Sequence, residues 1–68
     1  MTERLANRLK ERRAELGLTQ AELAERVGVT RKTVNTVENG VFTPSATLAI
    51  KLAKVLQLSV EELFWIER

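Results

Sequence analysis

The sequence has no cysteine, no histidine and no tyrosine, and it contains one proline and one tryptophan among its 68 residues. Without cysteine, no disulfide can stabilise the fold. Without cysteine and histidine, the usual nucleophile and base pairs and the soft metal sites are missing, and no glycine-rich loop is present to hold a phosphate. We therefore expect no enzymatic activity, no metal and no cofactor.

Long apolar segments are also absent. The longest uninterrupted apolar run is "LFWI" at residues 63–66, far shorter than a membrane span, and the first residues lack the apolar core of a secretion signal. We expect a cytoplasmic protein with no membrane partner. The length predicts a single domain over residues 1–68, with no room for a separate ligand-sensing domain, so no small-molecule ligand is expected.

Apolar residues recur at intervals of three and four, without sustained alternation. This spacing predicts an all-α fold of five helices with no strand of consequence. The first helix is predicted at about residues 3–16, ending at Gly17. The second opens with the capping box "TQAE", the third follows Thr30, and the fourth follows Ser45. The fifth opens with the capping box "SVEE" and continues through "LF".

Residues 20–39 have the features of two helices that cross closely. Ala24 is small and lies in the middle of the second helix, and Gly28 lies where the chain reverses, at a position where a positive φ costs glycine little. Only "GV" separates this helix from Thr30. A hairpin of two helices in any bundle shows some of these features, but together they are typical of a helix-turn-helix.

The third predicted helix has a polar face without acidic residues. No Asp or Glu occurs between Glu25 and Glu38, and the polar residues of "TRKTVNTVENG" separate from the apolar Val34 and Val37. A net charge of +2 is by itself weak evidence for a nucleic-acid partner. The acid-free face is more informative, because a negatively charged DNA groove favours such a surface.

The segment "LTQAELAERVGVTRKTVNTVENG" closely resembles the helix-turn-helix of phage repressor and Cro proteins, and the resemblance extends from about Leu9 to "SVEELF". It implies a compact five-helix, lambda-repressor-like domain that binds double-stranded DNA, with the third helix, about residues 30–39, in the major groove. It also implies a transcriptional regulator, a repressor, that binds a two-fold symmetric operator as a homodimer. The alternative is a protein-interaction module of the same fold, such as an antitoxin or an adaptor.

The resemblance and the helical wheel both assign base contacts to the third helix, at Arg31, Lys32, Asn35 and Thr36. Arginine and lysine suit guanine, asparagine suits adenine, and a threonine methyl suits thymine. The resemblance assigns Gln20 to a DNA phosphate, and we expect further phosphate contacts from Thr19, Asn39 and Thr43. The alternatives are a plain helix cap for Thr19 and solvated surface for Thr36 and Asn39.

Two charged residues fall at positions that face inward. Arg13 lies on the apolar stripe of the first helix, and Glu38 lies beside Val34 and Val37 on the third. A lone buried charge is costly, so each residue needs a partner. We predict that they pair with each other, as the matching Arg and Glu of the resembled family do. The alternative is that both side chains extend their charged ends to solvent.

The C-terminal "LFWIER" carries more apolar side chains than one short helix can bury. We predict that Trp65 and Ile66, with Phe64 beside them, form the homodimer interface, because exposed apolar patches on small proteins mark interfaces. The alternative is that Trp65 covers the core next to Leu5.

Overall fold

The structure is a computed structural model, and it describes residues 3–68 of the chain. In this range five helices form the body of the fold, as the sequence predicts, and a short strand lies near each end. The elements in chain order are β1 (Arg4–Asn7), α1 (Leu9–Glu15), α2 (Gln20–Val27), α3 (Arg31–Glu38), α4 (Ala46–Leu56), α5 (Val60–Leu63) and β2 (Phe64–Glu67). Among residues 3–68 no helix is long and apolar enough to span a bilayer.

The two strands correct the prediction of a fold without strands. β1 and β2 pair antiparallel, with Arg4 opposite Glu67 and Asn7 opposite Phe64. The first helix consequently begins at Leu9, where the Asn7 side chain accepts the Leu9 backbone N–H at 3.0 Å, and not near residue 3. The fifth helix ends one residue before Phe64. Each strand has four residues, too few to show an alternating pattern, and each depends on a partner at the other end of the chain.

Hydroxyl side chains begin four of the helices, at Thr19, Thr30, Ser45 and Ser59. Each accepts the backbone N–H of the residue three positions on, which satisfies one of the free amides at a helix start. Glu22 and Glu62 complete the two predicted capping boxes by accepting the backbone N–H of Thr19 and Ser59. The helix starts are therefore fixed by local hydrogen bonds.

The turn between α2 and α3 has the geometry that the sequence predicts. Gly28 has a φ of 78°, in the left-handed region, and its N–H donates to the Ala24 carbonyl at 2.9 Å. A β-carbon at Gly28 would meet nothing within 4 Å, so the backbone conformation and not a lack of space favours glycine there. Ala24 on α2 is 3% exposed, so a small side chain occupies this buried position, as the sequence predicts.

The core draws side chains from all five helices. Those that are almost fully buried are Leu9, Leu23, Val34, Val37, Leu52, Leu56 and Leu63. Burial of such a side chain contributes about 1.5–3 kcal/mol. Val34 and Val37 lie one turn apart on α3, so this helix packs one side against the core and presents the opposite side to solvent.

Two glutamates at helix starts have lowered pKa values. The backbone N–H of Thr19 lowers the pKa of Glu22, with a smaller effect from the Thr19 hydroxyl, and Ser59 does the same for Glu62. The folded state therefore favours the ionised form of both side chains. Their contribution to stability is complete above the ordinary glutamate pKa of about 4.3 and is lost as the pH falls through the lower, folded-state pKa.

We expect Glu22→Gln to reduce the loss of stability as the pH falls below the ordinary glutamate pKa of about 4.3, because glutamine keeps an acceptor for the Thr19 N–H but does not titrate. The measurement is the free energy of unfolding in urea at a series of pH values. Glu25→Gln, on the same helix but outside the capping box, is the matched control. Equal pH dependence in Glu22→Gln and the wild type would show that this hydrogen bond does not contribute.

Candidate nucleic-acid interface

The solvent-facing side of α3 carries three of the four predicted base contacts. Arg31, Lys32 and Asn35 are exposed and form what we call the outer face of α3. Arg31 and Lys32 make this face positive, and the first turn of the helix contains no acidic residue. Thr36 is half-buried, and its hydroxyl donates to the Thr33 carbonyl at 2.9 Å within the helix.

The start of α2 lies next to the outer face of α3. Gln20, the first residue of α2, lines a shallow surface depression together with Arg31, Lys32 and Asn35. The structure therefore brings a predicted phosphate contact and three predicted base contacts into one surface. Such a surface can donate hydrogen bonds both to a phosphate and to the base edges of the adjacent groove.

The other three predicted phosphate contacts differ in where they lie relative to this surface. The Thr19 hydroxyl accepts the Glu22 N–H at 3.0 Å, so Thr19 is the cap of α2. Asn39 follows α3, and its amide donates to Asn35 Oδ1 at 3.2 Å, which ties it to the outer face. Thr43 is exposed but lines a separate groove beside β1, so the structure does not place it in the depression.

Arg13 and Glu38 form an ion pair in the structure, with Arg13 Nε 2.7 Å from Glu38 Oε2. The two side chains are 14% and 3% exposed, so the pair lies largely out of water. Arg13 also donates to the Leu18 carbonyl at 2.9 Å. The pair therefore joins α1 to the C-terminal end of α3 and to the segment that precedes α2.

Sequence reasoning missed one partner of this pair. Gln20 Nε2 donates to Glu38 Oε1 at 3.1 Å. A carboxylate has about four acceptor sites, and one guanidinium does not fill all of them. A buried glutamate therefore indicates that other donors lie nearby. Nothing in the sequence pattern indicates that Gln20 supplies one of them, because the contact depends on how α2 and α3 pack together.

The C-terminal residues differ from the prediction. Phe64 is 6% exposed in the core, which contradicts its assignment to an outer interface. Because these residues form a strand, Trp65 and Ile66 point to opposite faces of the sheet and do not form one patch. Ile66 is 57% exposed, whereas Trp65 is half-buried with the Arg8 guanidinium 5.2 Å from its ring centroid.

The close crossing of α2 and α3, with an acid-free polar face on the second of them, defines the helix-turn-helix class of DNA-binding domains. The sequence pattern of the family described as helix-turn-helix matches residues 9–63. The chain belongs to this family, the Cro/C1-type helix-turn-helix transcriptional regulators, as the resemblance in its sequence implies.

Two relatives illustrate the range of the family. The chain is 44% identical over 63 residues to YgzD, an uncharacterised HTH-type transcriptional regulator of Bacillus subtilis, and the match covers 93% of this chain and 96% of YgzD. It is 38% identical over 56 residues to antitoxin HipB of Escherichia coli, and that match covers 82% of this chain and 60% of HipB.

Solved structures of similar proteins have the same fold. The restriction-modification controller protein C.AhdI of Aeromonas hydrophila superposes with a TM-score of 0.78 at 40% identity, over 84% of this chain and 86% of C.AhdI. The P22 c2 repressor, solved in complex with a synthetic operator, superposes with a TM-score of 0.77 at 31% identity, over 79% of this chain and 82% of the repressor.

We expect Arg13→Met and Glu38→Leu each to destabilise the protein by about 3–5 kcal/mol, because each leaves a buried charge without its partner. The double variant should recover much of this loss, since no unpaired charge remains. The measurement is a double-mutant cycle on the free energy of unfolding.

The exposed pair of Arg4 and Glu67, whose side chains are 79% and 45% exposed, provides the matched control. Its cycle should give a coupling of at most about 1 kcal/mol. Strict additivity at Arg13 and Glu38 would contradict the interpretation that they act as one unit.

Proposed function

We propose that this protein is a transcriptional repressor that binds a two-fold symmetric operator in double-stranded DNA as a homodimer. The observation that carries the proposal is the outer face of α3, which is exposed, positive and free of acidic residues. The operator complex of the similar P22 c2 repressor supports it. In this arrangement α3 lies in the major groove, with its N-terminal residues closest to the bases.

The base contacts follow from the chemistry of the outer face. Arg31 begins α3 and has the reach for a bidentate contact with guanine O6 and N7, and Lys32 has the same acceptors within reach. Asn35, one turn further on, suits adenine. Thr36 contributes through its methyl group, because its hydroxyl proton is used within the helix.

The phosphate contacts would fix how the domain lies on the duplex. Gln20 and Thr19 stand at the N-terminus of α2, where free backbone N–H groups and the helix dipole favour a phosphate. Asn39 and Thr43 follow α3 and would contact the backbone beyond the groove. These contacts are independent of the base sequence, so they add affinity without specificity.

The size of α3 favours a dimer. Eight residues span roughly 12 Å along a helix, enough for only a few base pairs. Two copies whose recognition helices enter successive major grooves, about 34 Å apart, would read a longer site. We assign the contact between copies to the exposed side of β2 around Ile66, the face of the strand opposite to that of Trp65.

A second role, as an antitoxin that also binds a partner protein, is favoured by the similarity to HipB. The chain spans 60% of HipB, so the similarity leaves a large part of that protein without a counterpart. Both roles use the outer face of α3 for DNA. They differ in whether a second protein binds elsewhere on the surface.

Selection of binding sites from random DNA tests the proposal. We expect a two-fold symmetric sequence with half-sites about 10 base pairs apart from centre to centre, because each copy places one helix in the groove. Arg31→Ala should lose about 1–3 kcal/mol on the selected site and relax the preference at one position in each half-site.

The controls for this experiment lie on α2. Gln20→Ala should weaken binding to all sequences alike, and Arg26→Ala, an exposed arginine outside the outer face, should preserve the preference. If Arg31→Ala lowered the affinity for the selected site and for random DNA by the same factor, Arg31 would not be a base contact.

We expect Ile66→Ser to convert the protein to a folded monomer with weaker operator binding, because it removes the exposed apolar side chain of β2. Sedimentation and circular dichroism give the mass and the fold. Ile50→Ser is the matched control, since Ile50 is 49% exposed on α4. A folded Ile66→Ser that remains fully dimeric would refute the assigned interface, and dissociation by Ile50→Ser alone would move it to α4.

A further inference from the structure

The buried ion pair of Arg13 and Glu38 is hydrogen-bonded to one residue that lines the protein surface, Gln20. Glu38 Oε1 accepts from Arg13 Nη2 at 3.3 Å and from Gln20 Nε2 at 3.1 Å. The Glu38 side chain is 3% exposed, whereas Gln20 lines the depression beside Arg31 and Lys32. Gln20 therefore connects a buried carboxylate to the surface that faces DNA in the proposed complex.

The carboxylate determines which way the Gln20 amide is turned. Ionised carboxylate oxygens accept hydrogen bonds and donate none, so only the NH₂ group of an amide can face them. One N–H of Gln20 is used by Glu38, and within residues 3–68 the second N–H donates to no other acceptor. A glutamine without this contact would lose more rotamer freedom on binding DNA, and this loss opposes binding.

Arg13 contacts both the Glu38 carboxylate and the segment that precedes Gln20. Its Nε and Nη2 donate to the two oxygens of Glu38, and its Nη1 donates to the Leu18 carbonyl at 2.9 Å. Leu18 lies two residues before Gln20, so the same guanidinium fixes the carboxylate and the segment that leads into α2. The position of Gln20 is thus set from both sides by one ion pair.

We propose that Arg13 and Glu38 are positioning residues for DNA binding, which hold Gln20 so that its second amide N–H donates to a DNA phosphate. The inference rests on the proposed function and deepens it. The ion pair acts on affinity through a single neutral side chain, in addition to its place in the fold.

The test is a thermodynamic cycle on DNA affinity. Gln20→Ala is introduced into the wild type and into Arg13→Met/Glu38→Leu, which has the same net charge and no unpaired charge. Thr43→Val in both backgrounds is the matched control. Thr43 is a proposed phosphate contact that does not depend on the ion pair, because within residues 3–68 the side-chain hydrogen bonds to the Glu38 carboxylate come from Arg13 and Gln20. Unfolding curves first establish that each variant is folded. Fluorescence anisotropy then measures its binding to the selected site and to random duplex.

Gln20→Ala should lower the affinity about tenfold in the wild type, equal to about 1.4 kcal/mol, and by less than about twofold in the background without the ion pair. Thr43→Val should lower it by the same factor in both. The slope of affinity against salt should stay unchanged, since each background has the same net charge and Gln20 is neutral.

Equal losses from Gln20→Ala in the two backgrounds would overturn the proposal, as would a Gln20→Ala variant that binds like the wild type. A changed salt slope would assign the effect to charge and would also overturn it. If Arg13→Met/Glu38→Leu does not fold, Glu38→Asp replaces it as the second background. Its side chain is one methylene shorter, which moves the carboxylate away from Gln20, so Gln20→Ala should again lower the affinity by less than about twofold. A wild type that binds no duplex contradicts the proposed function instead.

Discussion

A glutamate side chain that is 3% exposed needs donors for its oxygens, and the arrangement of α1, α2 and α3 follows from how Glu38 obtains them. Arg13 comes from α1 and Gln20 from α2, so one carboxylate at the end of α3 is bonded from both other helices. Apolar contacts supply more stability, but they are non-directional. The hydrogen bonds are directional, and they determine where α3 lies against its neighbours.

This placement gives α3 two different sides. Val34 and Val37 are buried against the core, which leaves Arg31, Lys32 and Asn35 outside on a helix of eight residues. A duplex groove needs a rigid, positive, donor-rich helix of this kind, held at a defined height above the rest of the domain. The core and the ion pair provide the rigidity, and Arg31 and Lys32 provide the charge, with no acidic residue in the first turn to offset it.

Features set by neighbouring residues could be read from the sequence, and features set by distant ones could not. The capping boxes at Thr19 and Ser59 and the turn at Gly28 depend on residues within a few positions, so their prediction was correct. The same periodicity predicted helix over Arg4–Asn7, because four residues cannot display a strand pattern. The burial of Phe64 and the Gln20 contact both depend on elements that meet only in the folded chain.

The terminal hairpin has a consequence for the order of folding. The hydrogen bond from Arg4 to Glu67 joins residues 63 positions apart, so forming it closes a loop of almost the whole chain. Such closure is entropically unfavourable while the intervening chain is unfolded, whereas the helices need only local contacts. During synthesis β1 is made before the five helices, and β2 is made after them. The helix-turn-helix pair can therefore assemble while β1 still lacks its partner, and the sheet closes over a largely formed domain.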